Sequence, residues 1–176
     1  MYKRQTKGYI EFFSSNPKYR RLWAATVISL LGEWFNTIAL FFLILEYSGS
    51  EFLLGVLFAV RMLLFGLSQP INGLLADRLN RKGLMFWSNI AQIGLALSFI
   101  LVDGPEDMWW LITVSGLMML LHGVYVTAER AAVPNIVAEE DLITANAIGS
   151  ASWSTALCTG AMLGGVVVSE YGTDAA

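Results

Sequence analysis

The sequence predicts an all-α integral membrane protein, a helical bundle of five transmembrane helices. Three observations lead there. Hydrophobic residues make up 56% of the chain and charged residues only 14%, against about 25% charged in soluble domains. The apolar residues gather in five stretches, each long enough for a helix to cross a ~30 Å hydrocarbon core. The basic residues fall almost entirely on one side of those stretches. With 176 residues and a mean hydropathy of +0.58, the chain lacks the polar residues a small soluble protein needs to cover its surface. A soluble enzyme, a disordered tail, a nucleic-acid module and a disulfide scaffold are excluded together. Cys158, the single cysteine, cannot form an internal disulfide and reads as a small buried residue.

Residues 1–21 form a polar, basic leader, in which Tyr9, Ile10, Phe12 and Phe13 could lie along the membrane surface. The bundle occupies 22–176. Its first span, about 22–46, contains Glu33 and exceeds the ~7–15 residues of a signal-peptide core. Tyr47-Ser48-Gly49-Ser50 links it to a second span, about 52–76, which contains Arg61. The third span, about 83–102, has no charged residue, and after it Gly104-Pro105 cannot continue a helix. The fourth covers about 108–128. Asp141, placed to cap free backbone N–H groups, precedes the fifth, about 142–169. Barrel strands are excluded, since these runs far exceed alternating segments of ~10 residues.

Orientation follows from the eleven basic residues. Lys3, Arg4, Lys7, Lys18, Arg20 and Arg21 precede the first span. Arg78, Arg81 and Lys82 lie between the second and third, and Arg130 follows the fourth; Arg61 is inside a span. By the positive-inside rule the N-terminus is cytoplasmic in a multi-pass protein of the cell (plasma or inner) membrane.

Two charges sit inside spans. Helical rise places Glu33 about 16 Å and Arg61 about 14 Å deep from opposite sides, so both reach the midplane. A lone charge there costs at least ~2.5–3.5 kcal/mol, so a partner or a wet cavity is expected. Ser29, Glu33, Asn36 and Thr37 form a polar stripe on the first span. Arg61, Ser68 and Asn72, with Gln69 adjacent, form one on the second. Facing stripes would line a cavity, with Glu33, Arg61, Asn36 and Gln69 the candidates for substrate contact or proton coupling. A static salt bridge that fixes packing is the competing use. His122 shares a spacing with Ser115, Tyr125 and Glu129 and reads as a core histidine or a proton relay. Trp109 and Trp110 read as an interfacial belt. No Walker loop, Gly-x-Ser-x-Gly or His-Glu-x-x-His is present. With one Cys and one His, neither a metal, a cofactor nor an enzymatic activity is expected.

Gly73-Leu74-Leu75-Ala76-Asp77-Arg78-Leu79-Asn80-Arg81-Lys82 starts at the end of the second span. It resembles the signature loop of the major facilitator superfamily: glycine, three residues, Asp-Arg, one residue, glycine, Arg-Arg/Lys. Asn80 stands where the family has glycine, and Asn is the next-best residue for a left-handed turn. Gly73 would permit close helix approach, while Asp77 would cap a helix end and be held by Arg81. The resemblance implies that Gly73, Asp77, Arg78, Arg81 and Lys82 belong to a cytoplasmic gating loop that latches two transporter halves. Leu31-Gly32-Glu33-Trp34-Phe35, Val133-Pro134-Asn135-Ile136-Val137, Asp141-Leu142 and Ala145-Asn146-Ala147 are similar to the macrolide-efflux-like drug exporter branch. Gly160-Ala161-Met162-Leu163-Gly164-Gly165 resembles the superfamily's antiporter motif, with alanine for its proline; Ala156, Gly160 and Gly164 form a close-packing face.

The resemblance implies a secondary transporter working by alternating access, a proton-coupled exporter of drugs or small amphipathic molecules. Its partners are the lipid bilayer, the substrate, protons and a C-terminal half. A siderophore or lysophospholipid exporter on the same fold, and a non-transporting membrane interaction protein, are the alternatives. Five spans where a half contains six make the expectation an N-terminal half truncated before helix 6, ending in Glu170-Tyr171-Gly172-Thr173-Asp174.

Overall fold

The computed structural model describes residues 8–172, and every regular element among them is helical. Lys3, Arg4, Lys7, Thr173 and Asp174 lie outside the described residues. A short helix, α1 (Tyr9–Ser15), precedes five long ones: α2 (Pro17–Ser48), α3 (Glu51–Arg78), α4 (Arg81–Leu97), α5 (Met108–Ala132) and α6 (Leu142–Tyr171). With their short 3-10 extensions, α2 to α6 are long and apolar enough to cross a membrane. They correspond in order to the five expected spans, and the chain is a multi-pass membrane protein.

The helix ends show how local chemistry sets the links. α2 begins at Pro17 rather than Leu22, because proline is preorganised for the first helical turn, where its missing N–H is not needed. It continues through Tyr47 and Ser48 to Gly49, whose φ of 60° closes the helix with an N–H bond to the Leu45 carbonyl at 2.9 Å. The link to α3 is therefore only Gly49 and Ser50, and Ser50 Oγ caps α3 by accepting the Leu53 N–H. α3 runs through Pro70 without ending. The proline ring removes one backbone donor, and one turn earlier the side chains of Ser68 and Gln69 both donate to the Phe65 carbonyl.

Three expectations are corrected here. Asp141 does occupy the N-cap position of α6, but its carboxylate makes no capping bond; it accepts from Asn16 Nδ2 at 3.3 Å instead. Phe12 does not lie along the membrane surface. It is fully buried with Tyr19, Val133, Val137, Ala145 and Ile148, while Tyr9 and Ile10 remain exposed. Half of the leader's apolar set thus docks α1 onto the bundle, helped by the Tyr19 hydroxyl donating to the Ala145 carbonyl at 2.8 Å. Cys158 is exposed rather than buried, because the face of α6 that packs on α2 is the one carrying Ala156 and Gly160.

α5 is the most buried of the long helices and α4 the least. α3 and α4 both pack on α5, while α2 packs on α6. Exchanging the first and second spans with the fourth and fifth maps the α2–α6 contact onto the α5–α3 contact, the relation expected of an inverted repeat. α2 touches α3 and α5 only sparsely. One apolar core lies at the α1 end of the bundle and another, around Leu40, Ile44, Leu57 and Leu111, at the opposite end. Between them the seam separating α2 from α3, α4 and α5 is crossed largely by polar side chains.

Candidate functional site

That seam holds the two intramembrane charges. Glu33 of α2 and Arg61 of α3 form a salt bridge. Arg61 is 3% exposed and the Glu33 side chain 10%, so the cation is sealed while the carboxylate keeps an open edge. Arg61 also donates to Thr37 Oγ1 from Nη2 and to Ser115 Oγ from Nη1, both at 2.9 Å. The Thr37 hydroxyl in turn donates to the Glu33 carbonyl at 2.8 Å. A guanidinium offers five donors in a rigid fork, and here the fork ties α2, α3 and α5 together. Desolvating such a pair costs several kcal/mol per ion, and the hydroxyl contacts offset part of it.

The carboxylate edge opens into a cleft of about 510 Å³ between α2 and α4, closed at its base by Met118 of α5. Ser29, Glu33 and Asn36 line one wall, and Asn89 and Gln92 the other. Ser29 Oγ and Gln92 Nε2 both reach Asn89 Oδ1, at 3.4 and 3.5 Å. Asn36 Nδ2 is buried with no hydrogen-bond partner.

Gln69 does not join this group. Its amide accepts from Thr127 Oγ1 at 3.2 Å and donates to the Phe65 carbonyl, at the α3–α5 contact. Ser68 and Asn72 lie beside it against Gly123, where an added Cβ would stand 2.7 Å from Asn72 Nδ2. The second-span stripe therefore splits. Arg61 faces α2, and the residues two turns on face α5. The far wall of the cleft comes from α4, whose Asn89 and Gln92 sequence reasoning missed, although their i, i+3 spacing was available. His122 is buried beside Phe65 with ring centroids 6.2 Å apart.

At the junction of α3 and α4, linked only by Leu79 and Asn80, the residues Asp77, Arg78 and Lys82 are exposed. Arg81 Nε donates to the Ala76 carbonyl at 3.2 Å rather than holding Asp77. Asn80 has φ −67°, not a left-handed turn. It serves as the N-cap of α4, accepting the Lys82 N–H at 3.0 Å, a task glycine could not perform with a side chain. Gly73 has open space where a Cβ would be, so it makes no close helix approach within these residues.

On α6, Gly160 and Gly164 do make that approach. A Cβ on Gly160 would lie 2.8 Å from Trp34 Cβ, and one on Gly164 would lie 3.1 Å from Ile38 Cβ and from the Phe35 carbonyl. Gly165 points into open space. Gly116 and Gly123 do the corresponding work between α5 and α3, a pairing not anticipated from sequence.

Comparison with known proteins agrees with this architecture. A family model described as Major Facilitator Superfamily matches residues 22–176. The chain is 27% identical over 154 residues to the MFS-type transporter YfiS of Bacillus subtilis, covering 85% of this chain and 36% of the relative. It is 26% identical over 127 residues to macrolide efflux protein A of Streptococcus pyogenes, covering 71% of this chain and 31% of the relative. The chain thus spans about a third of the length of these curated relatives. No solved structure shows significant similarity.

Proposed function

The chain belongs to the Major Facilitator Superfamily, and from that membership we propose that it forms part of a proton-coupled exporter of drugs or small amphipathic molecules. In this reading Glu33 carries the proton and Arg61 is its counter-charge. The observation that carries it is the asymmetry of the pair: Arg61 is sealed by Thr37 and Ser115, while the carboxylate borders an open cleft that Ser29, Asn36, Asn89 and Gln92 also line. The similarity to a macrolide efflux protein supports efflux as the direction.

Protonation of Glu33 would cancel its charge and leave Arg61 held by two neutral hydroxyls. The sparse contact between α2 and α3 would then lose its strongest link, biasing one arrangement of the seam over another. No covalent step on the substrate is involved. Asn36 serves as a substrate or proton contact in the same cleft. Gln69 acts from the α3–α5 contact, through Thr127, by holding the helix that presents Arg61.

The basic residues Lys18, Arg20, Arg21, Arg78, Arg81, Lys82 and Arg130 all fall at the α1 end of the bundle. That end is cytoplasmic, in the cell membrane. Exposed Asp77, Arg78 and Lys82 then form, with Gly73 and Arg81, a loop able to latch a C-terminal half of the transporter. The Gly160–Gly164 face keeps α6 against α2 during rocking of the halves, with Gly165 on the outer side of that motif.

The test is dye efflux from vesicles containing the full-length protein, with and without an imposed proton gradient. The wild type should export an amphipathic fluorescent dye only with the gradient. A Glu33→Gln variant should insert normally and lose that response. Gradient-driven efflux by Glu33→Gln would leave the pair as a static bridge.

A further inference from the structure

The cleft between α2 and α4 has features that neither helix packing nor lipid contact explains. α4 is the least buried of the five long helices, presenting Phe86, Trp87, Ile90 and Leu97 outward. Its cleft-facing side carries Asn89 and Gln92, with Ile93 and Ala96 beside them. Carboxamides turned toward hydrocarbon without partners would be costly. Here they converge with Ser29, Asn36 and Glu33 around about 510 Å³ of open volume, many times the ~30 Å³ share of one water molecule. The Ser29–Asn89 hydrogen bond across the cleft is long, 3.4 Å, Gln92 Nε2 makes only long bonds within α4, at 3.4 and 3.5 Å, and Asn36 Nδ2 is a buried donor with nothing to donate to. Ser29, Glu33, Asn36, Asn89 and Gln92 make a polar stripe in an otherwise apolar cleft, and a roomy stripe holding a carboxylate and an unsatisfied donor gives ordered water its partners.

We infer that this cleft is a hydrated path by which water reaches the Glu33 carboxylate from the cytoplasmic half of the bundle, between the first and third spans. The cleft extends along α2 from Ala25 to Asn36, so it runs from near the basic end to the level of the ion pair. Met118 of α5 closes its base, and Glu33 on its wall holds the ion pair with Arg61 of α3. Its use as the proton's entry route rests on the reading of Glu33 as the coupling carboxylate; its wetness does not.

Cysteine accessibility separates the two. In the full-length protein without native cysteines, Cys158→Ser included, single variants Asn89→Cys and Gln92→Cys place a thiol in the cleft. Ala96→Cys, a small change on the same wall, guards against loss of folding at the carboxamides. Ile90→Cys and Leu97→Cys are lipid-facing controls, and Asn80→Cys is the loop control. Only a hydrated thiol ionises to the reactive thiolate, so a membrane-impermeant thiol reagent should label the cleft positions at least about tenfold faster than positions 90 and 97. Labelling at 89, 92 and 96 no faster than at 90 and 97, while position 80 reacts, would show a dry cleft and overturn the inference. Fast labelling in a protein whose Glu33→Gln variant still couples to protons would instead keep the wet cleft and remove the coupling role.

Discussion

Arg61 joins α3 to α2 and α5 through Glu33, Thr37 and Ser115, and each of these partners makes a separable contribution. Truncating one side of a buried ion pair typically costs about 3–5 kcal/mol, because the other charge stays behind. Arg61→Met should therefore lower the unfolding temperature in detergent sharply. The double variant Glu33→Gln/Arg61→Met should recover most of that loss, since a neutral amide beside a thioether needs no counter-ion. A double variant no more stable than Arg61→Met would show that Glu33 and Arg61 do not act as a pair. The ion pair was legible because depth along a helix is simple arithmetic, and two midplane charges in antiparallel neighbours have few places to go. The fate of Gln69 was not. A stripe gives an angle around one helix but not which neighbour stands at that angle, and α5 stands where α2 was expected.

At the scale of elements, glycines divide by what stands opposite them. Gly160→Val and Gly123→Val each push a branched side chain into space already occupied at 2.7 to 2.8 Å. Overpacking of this kind costs about 1–3 kcal/mol, so both variants should unfold at lower temperature, whereas Gly165→Ala should change little. The two seams are equivalent under the exchange of helix pairs, yet only the α6 glycines stood out in the sequence, because they are four residues apart and Gly116 and Gly123 are seven. Asn80 gives a second check. If its side chain caps α4, Asn80→Ala should cost about 1 kcal/mol and Asn80→Gly only a few tenths. A stabilising Asn80→Gly would instead indicate that the loop wants a left-handed residue there. The docking of α1 could not be read beforehand, since seven residues bearing Phe12 and Phe13 suit a membrane surface as well as a protein one.

For the whole molecule, apolar run length and the sidedness of charge were enough to place all five spans in order, because the bilayer imposes the same length on each. What they could not provide was the grouping into α2 with α6 and α3 with α4 and α5, which depends on which small residues meet. The proposed topology, with the α1 end cytoplasmic, rests on the same sidedness. A periplasmic-type phosphatase reporter fused after Ser50 should be active, and one fused after Asn80 inactive; the reverse pattern would invert the bundle. The grouping matters for the proposed function because it leaves a polar seam, and in that proposal the seam is where Glu33 would exchange its proton with the transported molecule. That exchange can be read without any gradient. Adding a transported dye to the purified full-length protein in weakly buffered detergent solution, with a pH indicator present, should release protons from the wild type and none from Glu33→Gln. Equal proton release from both would contradict the central role of Glu33.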